Sequence, residues 1–172
     1  MQSPICILTI VVAASYSNIA CAHPDGAPWG AARPSASENC ASCHFDSEVI
    51  SDSPLLHVEG LPQDPEPGKT YDLRVTLDDA RAVVVGFQLI AQAEDDQAGA
   101  FVSTVANVES IGAATRSTTP VKNDGTVSWA LQWLAPIEPG LPIVFYVAAS
   151  AANDDGSPLG DRIHFRSYEF LE

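Results

Sequence analysis

Asn123-Asp124-Gly125-Thr126-Val127-Ser128-Trp129-Ala130-Leu131-Gln132-Trp133 is the stretch that decides the fold. Asn-Asp-Gly is a hairpin-turn signal, since these residue types accept the positive φ that a tight turn between twisted strands requires. The run after it alternates, so Val127, Trp129, Leu131 and Trp133 fall on one face. That period of two belongs to a strand, not a helix.

The same texture extends in both directions. Upstream, after the turn Pro65-Glu66-Pro67-Gly68, Tyr71, Leu73, Val75 and Leu77 alternate with Thr70, Asp72, Arg74 and Thr76. Val83, Val85, Phe87 and Leu89 alternate with Val84, Gly86, Gln88 and Ile90, which predicts a central strand, apolar on both faces. One further strand is expected from Phe101 to Val108. Downstream, Pro136, Pro139, Gly140 and Pro142 form a loop, Ile143–Ala149 a strand, Asn153-Asp154-Asp155-Gly156 a turn, and Ile163–Phe170 the last strand. About seven short strands without an amphipathic helix predict an all-β, immunoglobulin-like β-sandwich over residues 55–172.

The apolar run Ile5–Ala14 is too short to span a bilayer, and Ala20-Cys21-Ala22 has the small-x-small form read by signal peptidase. Residues 1–22 therefore read as a signal peptide cleaved near Ala22, which directs the chain to the periplasm or outside the cell. A lipoprotein beginning at Cys21 is the lesser alternative, because Asn18 stands where an aliphatic residue is expected. No transmembrane anchor is expected in the mature chain. Residues 23–54 are rich in Pro, Gly, Ala and Ser and read as an extended leader to the sandwich.

About 150 mature residues suffice for one ordinary domain. The formal net charge of −14 excludes nucleic acid as a partner, because the surface repels phosphates. It allows a protein partner with a basic docking face.

Cys40-Ala41-Ser42-Cys43-His44 is the one place where the order of reactive side chains specifies a cofactor. Two cysteines two residues apart, followed at once by histidine, form the haem c attachment pattern. Cys40 and Cys43 would carry the covalent haem, and His44 would be the proximal iron ligand. A Cys40–Cys43 disulfide or redox pair is the competing reading, which an exported chain equally allows. Structural zinc lacks a second ligand pair.

The only methionine is Met1, so within the mature chain the sixth iron position falls to histidine, lysine or water. His57 is the first candidate, with Leu55 and Leu56 beside it; His164 and His23 are alternatives. His23 would also become the first residue after cleavage at Ala22. Its α-amino group and imidazole would then form a chelate suited to copper. Asp154, Asp155 and Asp161 are possible calcium ligands, although their spacing does not match the EF-hand loop and a solvated turn explains them.

Gly26-Ala27-Pro28, the CxxCH motif, Pro67-Gly68-Lys69-Thr70-Tyr71, Gly86-Phe87-Gln88-Leu89 and Ala98-Gly99-Ala100-Phe101 follow one another in series. Trp129-x-x-x-Trp133-x-Ala135-Pro136, Val144-Phe145-Tyr146 and Gly160-Asp161-Arg162-Ile163 continue it. In this order of landmarks the chain resembles the bacterial relatives of the reeler domain, the choice-of-anchor V group, over nearly the whole mature length. The resemblance implies a β-sandwich that commonly carries CxxCH near its N-terminus. Many members have a Thr-His pair before the Trp strand, where this chain has Arg116-Ser117-Thr118-Thr119-Pro120, so the role of that histidine is not carried over.

The expectation is an exported single-haem c-type protein that passes electrons to a redox partner or binds a small ligand at the iron. The alternatives are a haem-free extracellular interaction module with a Cys40–Cys43 disulfide, and a copper protein using His23. No catalytic residue set stands out, and an electron carrier or binding module is expected rather than an enzyme.

Overall fold

The computed structural model describes residues 26–46, 48–138 and 142–170. In chain order its elements are a short helix α1 (Cys40–Cys43) and the strands β1 (Glu48–Ile50), β2 (Leu56–Glu59), β3 (Thr70–Leu77), β4 (Val84–Ala93), β5 (Asp96–Gln97) and β6 (Ala100–Ser103). There follow β7 (Val108–Ile111), β8 (Ala114–Ser117), β9 (Val121–Lys122), β10 (Val127–Leu134), β11 (Ile143–Ala152) and β12 (Arg162–Phe170). They form two sheets, as the alternation predicts. The larger runs β1-β12-β11-β4-β8-β7, with β5 and β9 also paired to β4, and the smaller runs β2-β3-β10-β6.

Register fixes which side chains meet between the sheets. β10 lies antiparallel to β3, pairing Trp129 with Val75 and Trp133 with Tyr71. Its apolar face presents Trp129 to Phe87 of β4, ring centroids 4.6 Å apart, and Trp133 to Phe145 of β11 at 4.9 Å, edge-on. Each such pair contributes about 0.5–1.5 kcal/mol beyond the area it buries. Leu56, Leu73, Val75, Leu77, Leu89 and Val147 complete this inter-sheet core.

The central strand is apolar on both faces for a reason the local pattern does not state. One face of β4 meets the small sheet, while Ile90 on the other is covered by the N-terminal segment. There Ala32 packs with Ile90, Ala114, Ala148, Ile163 and Phe165, and Cys40 and Ala41 lie against the same cluster. Gln88, 1% exposed, holds the segment by both ends of its amide. Its Nε2 donates to the Pro28 carbonyl at 2.9 Å and its Oε1 accepts from the Ala32 N–H at 3.0 Å.

Two expectations are corrected. Phe101–Val108 is not one strand: β6 belongs to the small sheet and β7 to the large one. The chain crosses between them in a turn where the Ser103 hydroxyl reaches the Val105 and Val108 carbonyls at 2.8 and 2.6 Å. The leader is not merely extended either. α1 forms because Asn39 caps it, accepting from the Ala41 N–H, while the Ser42 hydroxyl accepts from the Asn39 N–H. β1, within the stretch read as leader, joins the large sheet parallel to β12.

Candidate functional site

The helix α1 and the residue after it place Cys40, Cys43 and His44 on one wall of a cavity of about 540 Å³. That volume lies within the roughly 300–1,000 Å³ typical of small-molecule and cofactor sites. The floor is the outer face of the large sheet, where Gly86 of β4 has no side chain and Ala148, Ser150 and Ala152 of β11 have small ones. Ser117 and Thr119 line one side, and Asp154 to Asp161 the other. The Ser150 hydroxyl is buried there without a hydrogen-bond partner among the described residues. A buried donor left unpaired costs about 1–3 kcal/mol, so this position favours a polar partner, whether water or a bound group.

Backbone geometry aims the three reactive groups. The His44 N–H closes the helix onto the Cys40 carbonyl at 3.2 Å, turning the imidazole out of the helical run. Its Nδ1 lies 2.7 Å from Oδ2 of Asp161, whose side chain is almost fully buried. The Cys40 thiol donates to the Ala31 carbonyl at 3.4 Å. Burial, and then the adjacent Cys43, push its pKa up to about 12, so it is a thiol and not a thiolate at neutral pH. Both cysteines are free.

Cys40, Cys43 and His44 are the residues that would hold a covalently attached haem. All three residues line the cavity, and the imidazole's Nδ1 is engaged by Asp161, which leaves Nε2 as the nitrogen free to coordinate. Among the described residues no three His, Cys, Asp or Glu side chains converge as ligands for a bare metal ion.

The structure does not bring His57 or His164 to this cavity. His57 is exposed on β2 of the small sheet, its Nδ1 3.4 Å from the Arg166 guanidinium. His164 is 0% exposed on β12. Its Nδ1 meets the Ser53 hydroxyl at 2.8 Å and its Nε2 meets Asp79 Oδ2 at 3.1 Å. Both ring nitrogens are taken. His23, the signal peptide and Cys21 lie outside the described residues.

The carboxylates weighed as calcium ligands also separate. Asp154 and Asp155 are exposed in the turn, while Asp161 is buried against His44. The residues that sequence reasoning missed are Gln88, Ser150, and Asp161 in its role as partner of His44. Asp161 stood in the quoted Gly160-Asp161-Arg162-Ile163 stretch, yet nothing local distinguishes it from a solvated turn carboxylate. A more open hollow of about 470 Å³ on the small sheet, lined by Glu59, Asp72, Arg74 and Gln132 among others, gathers no cysteine or histidine.

No helix among the described residues is long and apolar enough to cross a membrane. No protein-family model matches the chain, and no curated protein does. Solved structures do. The Reelin-N domain of F-spondin superposes with a TM-score of 0.53 at 21% identity, covering 77% of this chain and 96% of that one. The human F-spondin reeler domain gives 0.50 at 19% identity, covering 72% and 94%. The chain therefore has a reeler-like β-sandwich fold.

Proposed function

We propose that this chain is an exported reeler-like β-sandwich module whose binding site is the cavity under the Cys40–His44 segment, and that the group held there is haem c. The reeler-like fold supports the module; the haem rests on the cavity's own residues. The observation that carries it is the placement of both thiols and the His44 imidazole on one wall, over a floor of Gly86, Ala148, Ser150 and Ala152.

Cys40 and Cys43 would hold the group by adding their thiols across its two vinyl groups. Each addition would form one carbon–sulfur bond, with the thiol hydrogen going to the neighbouring vinyl carbon, so nothing leaves and no oxidant is consumed. His44 would ligate through Nε2. Bound haem supplies a one-electron couple. The small floor residues leave room for a flat group, and Ser150 offers it a hydrogen bond. Exposed Phe45 and Leu159 sit beside His44 and Asp161 in sequence, with acidic Asp46, Asp154 and Asp155 also exposed. A redox partner with a basic face matches that edge.

A second reading keeps the module without haem. Cys43 lies close enough to raise the pKa of the Cys40 thiol, so an oxidised disulfide carrier in the export compartment could take two electrons and two protons from the pair. Trp29, Phe45 and Leu159 would then be the exposed apolar contacts for a protein partner.

One experiment separates the readings. The full chain is expressed for export in a host with the c-type haem maturation system, and its intact mass and visible spectrum are measured. The expected result is a red protein whose mass exceeds that of the processed chain by one haem and which keeps its colour after denaturation. A colourless protein lighter by two hydrogens overturns the haem and leaves the disulfide module.

A further inference from the structure

We infer that Asp161 is the positioning residue for the proximal ligand, holding His44 in the tautomer that ligates through Nε2 and setting the electron-donating strength of that ligand. This rests on the haem reading above. The two residues are 117 positions apart and meet because the β11–β12 loop folds back over the cavity wall, where Asp161 immediately precedes β12. An ionised carboxylate only accepts hydrogen bonds. With Oδ2 at 2.7 Å from Nδ1, the imidazole's hydrogen resides on Nδ1, and the lone pair is on Nε2, toward whatever the ring ligates.

The carboxylate is itself held. Its Oδ1 accepts from the Asn153 N–H at 3.2 Å, and its side chain is 1% exposed against 18% for His44. Gly160, at φ +78°, allows the chain to turn just before it. The amide side chain of Asn153 in turn reaches the Leu159 carbonyl and the Asp155 carboxylate. The loop thus delivers one buried carboxyl group to one ring nitrogen. A hydrogen bond from the ring to a carboxylate makes the other nitrogen a stronger donor. A stronger donor favours the oxidised iron, so Asp161 lowers the reduction potential.

The test uses the haem-loaded full chain and its Asp161→Asn and Asp161→Glu variants, read by intact mass, midpoint potential and the axial-ligand bands of the spectrum. Asp161→Asn is expected to keep its covalent haem but to shift the potential to more positive values and weaken the proximal-ligand signature; Asp161→Glu should recover part of the shift. An unchanged potential and spectrum in Asp161→Asn overturns the inference while leaving the haem reading intact. A parent protein without haem overturns both.

Should Asp161→Asn fail to fold, the ring nitrogen shifts of His44 in the parent chain, made without haem and labelled with nitrogen-15, decide the matter. Hydrogen on Nδ1 supports the inference, and hydrogen on Nε2 overturns it.

Discussion

His164 Nε2 lies 3.1 Å from Asp79 Oδ2, and neither residue is more than 3% exposed. Arg162 Nε donates to the same oxygen at 2.8 Å, the Arg81 N–H donates to Oδ1 at 2.9 Å, and Ser53 closes the other end of the ring. Burial pushes the Asp79 carboxyl up, but the hydrogen bonds from Arg162, Arg81 and His164 and the Arg162 charge outweigh it and hold the pKa at about 2. Burial is the largest influence on His164 and lowers its pKa below the ordinary 6.5. This Ser–His–Asp line closes one margin of the sandwich. With Ser53 at 0% exposure it offers no accessible nucleophile.

Both groups make the fold weaker in acid. Each has a folded pKa below its unfolded value, so the unfolded chain binds more protons and stability falls as pH falls. For His164 the loss begins below pH 6.5, and for Asp79 it runs from near 3.8 down to about 2, worth about 2 kcal/mol in full. Urea midpoints measured between pH 8 and pH 3 are expected to drop first near pH 6 in the parent, and this step should vanish in His164→Gln. A flat profile across that range refutes the role given to the pair.

Gln88→Leu is expected to leave the Ala32 N–H and Pro28 carbonyl without partners, costing about 1–3 kcal/mol. The N-terminal segment should loosen before the sandwich does. Amide hydrogen exchange at Ala32 and Cys40 is the measurement, and protection equal to the parent's would contradict the clamp.

The two buried tryptophans predict a contrast. Trp133 Nε1 donates to the Ala98 carbonyl at 3.0 Å, while Trp129 Nε1 is buried without a partner among the described residues. Trp133→Phe should therefore destabilise by about 1 kcal/mol more than Trp129→Phe, since only the first strands a buried carbonyl. Equal melting temperatures for the two variants would refute this.

His57 stands outside the cavity, so His57→Ala is expected to leave the spectrum of haem-loaded protein unchanged. Reduced protein should bind carbon monoxide readily, because among the described residues the cavity holds no histidine besides His44 and no methionine. Conversion from low-spin to high-spin in His57→Ala would restore that residue as the sixth ligand, and the same change in His23→Ala would assign it to the N-terminus.

Sequence alone determined the sandwich and the haem-type motif, because both are local. Alternation at a period of two is visible within eight residues such as Val127–Leu134, and the attachment pattern within Cys40–His44. Tertiary structure decided what surrounds them. Gln88 looks like an outward polar residue on a strand until the N-terminal segment, some sixty positions upstream, is laid over it. His164 and Asp79 are 85 positions apart, and His44 and Asp161 117. Such pairs depend on which strand faces which and on the path of one loop. Burial, which gives these polar contacts their strength, exists only once the two sheets and the covering segment have closed together.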